Sequence, residues 1–154
     1  MLVMTAKVNK KKLVILACAI VAVIIGVVML LGGRDAVTTG AGMNVASNDD
    51  RVRFLTSYGW EVNTSPKESG QVRIPSDSSE VFSRYNMLQK TMGFDLSKYA
   101  GKTVMRYVYT VKNYPGATEP VYATILICDN RIIGGDITDT SATGKIQSFV
   151  MNES

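Results

Sequence analysis

The stretch LVILACAIVAVIIGVVMLL, Leu13 to Leu31, holds nineteen residues without one charge. At about 1.5 Å per residue a helix of that length reaches ~28 Å, close to the hydrocarbon thickness of a bilayer. A single membrane span is therefore expected over residues 13–31. Lys7, Lys10, Lys11 and Lys12 precede it and a balanced Arg34–Asp35 pair follows. That asymmetry predicts a cytoplasmic N-terminus and a C-terminal domain outside the cell membrane. An uncleaved signal anchor fits the length. A cleaved signal peptide has a shorter core, although Gly40–Gly42 offers small residues for a peptidase. A lipoprotein reading would use Cys18 after Ile15–Ala17, but the apolar run continues past that cysteine.

The span also explains the charge. The chain carries 17 basic and 13 acidic residues, a net +4. The excess is the four lysines ahead of the span, and residues 34–154 are balanced. The folded part has no net field to hold a polyanion, so no nucleic acid partner is expected. There is no histidine. The commonest general base, the commonest metal ligand and the usual triads are thereby removed. The two cysteines, Cys18 and Cys128, fall in the span and in the domain, so no disulfide between them is expected.

Four segments follow: a basic segment 1–12, a transmembrane helix 13–31, a Gly-, Ala- and Thr-rich linker 32–47, and an extracytoplasmic domain 48–154. Ser47 or Asn48 can cap a helix whose first turn carries Asp49 and Asp50, with Val52, Leu55 and Tyr58 inward and Gly59 at its end. The sequences WEV and QVRIP read as short strands. A second helix starts near Asp77 or Ser78 and has a stripe of Val81, Tyr85, Leu88 and Met92 with Phe82 beside it. KTVMRYVYTV alternates, placing Tyr107 and Tyr109 on one face and Arg106 on the other. VYATILIC reads as a buried strand. Asp129–Asn130 suits a two-residue hairpin turn, RIIGGDIT returns, and GKIQSFV is a candidate edge strand.

The pair Gly134–Gly135 is the most motif-like feature. A phosphate cradle needs a helix N-terminus after the glycines, and strand-like residues follow here instead. With Asp129–Asn130 as the turn, Ile125 is expected opposite Gly134 and Thr124 opposite Gly135. Glycines within a strand mark a bulge or a close approach. The second helix is the element expected to cross there. Asp129, Asp136 and Asp139 do not match a calcium loop, so no metal and no cofactor is implied. The residues that stand out for ligand or partner contact are Arg106, Tyr107, Tyr109, Asp136 and Asp139.

GW-EV at 59–62, VRIP at 72–75, RYNMLQKTMGFDLSKYAGK at 84–102, RYVYTVKNYP at 106–115 and RIIGGDI at 131–137 follow one another behind the N-terminal span. This set resembles an uncharacterised family of small membrane-anchored proteins of Gram-positive, clostridia-like bacteria, catalogued as a domain of unknown function. The resemblance covers roughly residues 50–150, implies a bacterial envelope location and supplies no catalytic residues. The expected fold class is α+β: an antiparallel sheet of about four strands with two helices packed on one face, by analogy a cystatin-like roll. The expected function is a non-enzymatic binding module that meets an envelope protein or cell-wall component. The alternative is a small-ligand-binding or hydrolytic domain using Asp136 and Asp139.

Overall fold

The computed structural model describes residues 43–151. The expected span 13–31 and most of the linker lie outside these residues. Among the described residues no helix is long and apolar enough to cross a membrane.

The elements run α1 (Asn48–Ser57), β1 (Glu68–Arg73), α2 (Glu80–Thr91), a 3₁₀ turn at Leu96–Tyr99, β2 (Thr103–Val111), β3 (Val121–Cys128), β4 (Arg131–Asp139) and β5 (Ile146–Gln147). The fold is α+β. Its sheet has five strands, against about four expected, in the chain order β1-β2-β3-β4-β5, each antiparallel to its neighbour. The short β5 accounts for the difference.

Local chemistry sets most boundaries. Ser47 caps α1: its hydroxyl accepts from Asp50 N–H while the Asp50 carboxylate accepts from Ser47 N–H. Ser79 caps α2 in the simpler way, accepting from Phe82 N–H. Asp129 and Asn130 both adopt positive φ, 49° and 60°, and form the tight β3–β4 turn. The domain also begins earlier than composition suggests. Val45 is buried, its N–H donates to Asn130 C=O at 2.7 Å, and Asn44 bridges to Arg131. Residues 43–47, expected as linker, are therefore part of the fold.

The two helices pack on opposite faces of the sheet, not on one. Tyr107, Tyr109, Ala123, Ile125 and Ile137 share a face with Phe54 and Leu55 of α1, Trp60 and Phe149. Val104, Leu126 and Ile133 point the other way, toward Ile74, Leu96 and the α2 residues Phe82 and Tyr85. Strands β2 to β4 are apolar on both sides, so both need a cover.

A bulge corrects the expected register. Ile127 opposes Ile132, but Leu126 opposes Gly134, which leaves Ile133 as the extra residue. Ile125 then meets Gly135 and Thr124 meets Asp136, one residue later than expected. A one-residue slip exchanges faces. The bulge thus turns Asp136 to the α2 face and Ile137 into the core under α1.

Candidate functional site

The inward side of α2 keeps Tyr85, Leu88 and Met92 of the expected stripe, with Phe82 beside them, but loses Val81 and gains two polar residues. Val81 is 80% exposed, whereas Asn86 and Gln89 are buried. Both polar side chains have backbone work. Asn86 Oδ1 accepts from Leu96 N–H at 2.8 Å, and its amide donates to Asp95 at 3.0 Å. Donation from Ser97 and Asn86 holds the Asp95 carboxyl down to about 2. Gln89 Nε2 donates to Gly135 C=O at 2.9 Å, and its Oε1 accepts from Gly135 N–H at 2.8 Å. The side-chain amide takes the place of a neighbouring strand at the outer edge of β4.

This explains the glycine pair. A Cβ on Gly134 would lie 2.7 Å from Gln89 Oε1, and one on Gly135 would lie 2.1 Å from Thr124 O and 2.5 Å from the Phe149 ring. The pair sits in a strand and makes room for α2 on one face and Phe149 on the other, as expected of strand glycines.

Tyr85 sits between two hollows. One, of about 270 Å³, lies between α2 and β1 and is floored by Val72, Ile74, Leu126 and Leu96 with Phe82 in its wall. The other, of about 460 Å³, lies on the β5 side between Val81, Leu88 and Ile146. Beneath them the Tyr85 hydroxyl donates to Asp136 at 2.7 Å and Thr138 donates to the second carboxylate oxygen at 2.6 Å. Burial raises the Asp136 carboxyl above its ordinary value, against the hydrogen bonds from Thr138 and Tyr85 and the charge of Arg106. Burial and the neighbouring Asp136 push the Tyr85 hydroxyl up. The pair braces α2 to the sheet.

The five candidate residues divide between the faces. Arg106 lies on the α2 face and pairs with Glu68 at 3.6 Å. Asp136 shares that face and is 6% exposed. Asp139 stands opposite Val121, so it belongs to the other face, and its carboxylate accepts from Ser141 N–H. The two aspartates are not brought to one site. Tyr107 and Tyr109 lie under α1. Tyr109 is fully buried; burial raises its hydroxyl above the ordinary value, opposed by Arg51. Arg51, which the sequence reading did not single out, donates from Nε to the Tyr109 hydroxyl at 2.9 Å, and its guanidinium lies 3.9 Å from the Tyr107 ring centre. The signal was its spacing: position 51 shares a helix face with Leu55 and Phe54. Among the described residues no group of three or more His, Cys, Asp or Glu is placed to hold a metal ion.

These observations define a small α+β domain on an antiparallel meander, with helices on both faces and apolar hollows along one helix. The chain belongs to the family described as Domain of unknown function (DUF4830), whose model matches residues 54–137. No curated protein and no solved structure matches it.

Proposed function

We propose that the domain is a non-enzymatic binding module, tethered by residues 13–31 and facing outward from the cell membrane, which captures an extended peptide segment of an envelope protein by strand addition to β1. The carrying observation is an open sheet edge beside an apolar groove. The outer side of β4 is covered: Met43–Val45 cover one end, Gln89 covers Gly135, and the two-residue edge strand β5 covers the other end. At the opposite edge β1 has β2 as its sheet neighbour and, among the described residues, no strand beyond it. Ile74 N–H bonds Lys102 C=O, so alternation turns the peptide groups of Ser69, Gln71 and Arg73 outward. Such an edge is a template for a further strand.

The groove gives that strand a specificity element. It reaches the edge through Val72, Ile74 and Pro75. Its 270 Å³ lies below the roughly 300–1,000 Å³ of sites that enclose a drug-sized molecule, and suits one or two side chains. A peptide on β1 directs alternate side chains to this face. The expected ligand is extended, with an apolar residue at the groove.

The test pans a displayed library of random twelve-residue peptides on full-length protein in detergent, then repeats binding with Gln71→Pro. Proline there removes an outward donor and leaves the β2 ladder intact. Enriched peptides with alternating apolar residues that lose binding to Gln71→Pro support the reading. Peptides that bind the variant equally well overturn it. Protease treatment of intact cells tests the topology: removal of the domain is expected, and protection reverses the assignment.

A further inference from the structure

We infer that Arg51 forms a carboxylate-binding site on the α1 face, independent of strand addition at β1. Arg51 is 8% exposed, yet no carboxylate lies within ion-pair distance of it among the described residues. Its neighbour Asp50 is committed elsewhere: its carboxylate takes the Ser47 N–H and hydroxyl and lies 3.4 Å from Arg53. With no counter-charge beside it, the guanidinium is held by the Tyr109 hydrogen bond and by stacking on Tyr107, and its outer end is left to solvent or to a ligand.

The arginine is held in place before any ligand arrives. Nε is used by Tyr109, whose hydroxyl donates to Asn48 Oδ1 at 2.9 Å, and Asn48 in turn donates to Thr64 C=O. Packing on the Tyr107 ring fixes the guanidinium plane. The terminal nitrogens Nη1 and Nη2 make no hydrogen bond among the described residues. Among the described residues no fully buried side-chain nitrogen is left without a partner, so these two keep some contact with solvent. Ser69 stands directly across from Tyr107 in the ladder and Gln71 across from Met105, bringing an exposed hydroxyl and amide to the same face.

A planar fork of two N–H edges with neutral donors nearby matches a monoanionic carboxylate in bidentate geometry. A phosphate dianion would have one cation to meet, with Asp49 and Asp50 on the same helix turn. The carboxylate could belong to a glutamate of a bound peptide or to a free small acid, and the chemistry at Arg51 is common to both.

The experiment follows the Arg51 Nε–H resonance, whose bond to buried Tyr109 slows exchange, in full-length protein in detergent micelles. The probes are succinate, the peptide acetyl-Val-Glu-Val-amide, its glutamine counterpart, inorganic phosphate and chloride, at matched ionic strength. A saturable shift with succinate, with the glutamyl peptide, or with both supports the site, and the stronger of the two identifies the source. Arg51→Lys, which lacks the Nε–H and is followed like the wild type at the backbone amides of Tyr107 and Ser69, should weaken the response about tenfold or more, since the fork is lost while a charge remains. Ser69→Glu, at an exposed position, should abolish the response by placing a carboxylate across from Tyr107, with the fold intact by circular dichroism. A response that is linear in concentration and equal for chloride overturns the inference. So does phosphate binding more tightly than either carboxylate, or a response that survives both substitutions.

Discussion

Replacing Gln89 by Leu tests whether one side-chain amide closes the outer edge of β4. The change preserves approximate shape and removes both hydrogen bonds to Gly135. The Gly135 N–H and C=O would be left in a site where Gln89 is 0% exposed. Each buried group stranded in this way costs about 1–3 kcal/mol. Burial of the added apolar surface returns about 1 kcal/mol. Two such groups less that return give a net loss of about 1–5 kcal/mol, centred near ~3, a large fraction of the roughly 5–15 kcal/mol available to a domain. For a fold of this size that lowers Tm by roughly 10–20 °C. The assay is thermal unfolding of a Met43–Ser154 fragment, which contains both core clusters and is expected to fold alone, together with hydrogen exchange at the Gly135 amide. Gln89→Glu gives the control. Its carboxyl can replace both bonds only when protonated, so burial beside a carbonyl raises its folded value above the unfolded one. Its stability should approach wild type in acid, below the ordinary glutamate value, and fall as pH rises through the raised value. A Gln89→Leu loss under about 0.5 kcal/mol, with unchanged protection of Gly135, would refute the edge-closing role.

Two further substitutions probe the same frame. Gly135→Ala drives a Cβ against Thr124 O and Phe149 and should cost more than about 3 kcal/mol, whereas Gly70→Ala meets nothing within 4 Å and should change stability by less than about 1 kcal/mol; paired urea titrations separate them. Asp136 is held above its ordinary value by burial, so the folded state favours its protonated form, and its contribution should be greatest below that ordinary value and fall as pH rises toward the raised one. Asp136→Asn should flatten the stability profile from about pH 4 upward, and an unchanged slope in unfolding free energy against pH would assign the dependence elsewhere.

What could be read from the chain was local. The Ser47 cap, the Asp129–Asn130 turn and the alternation of β2 each depend on a few neighbouring residues, and each formed as its chemistry requires. The misreadings were tertiary. Tyr85, Leu88 and Met92 turn inward as their helical spacing requires, but burial on α2 is also decided by who can satisfy backbone at β4 and the 3₁₀ turn. That selects Asn86 and Gln89, which hydropathy scores as outward, and leaves Val81 in solvent. The glycine pair signalled a bulge or a close approach, but not that Ile133 would be the extra residue and shift the register, because an extra residue is recognised by its pairing partner and not by its own sequence. The apolar run Ile125–Cys128 did carry a signal that both faces of the sheet need cover, and it outweighs the analogy with a one-sided roll.

The same logic links the fold to its proposed use. An antiparallel sheet with two edges must manage both, and this chain spends three separate devices on one of them: an N-terminal bridge, a buried glutamine and a two-residue strand. Among the described residues β1 receives none of these, and its length of six residues makes it the more templating edge of the two. Its charged ends, Glu68 and Arg73, and the flexible Gly70 weaken indiscriminate pairing without blocking a matched strand. Among the described residues this edge is open in a fold that elsewhere closes its backbone with buried amides, which is the opening the proposed strand addition would use, and the adjoining groove would add the side-chain selectivity that backbone pairing lacks.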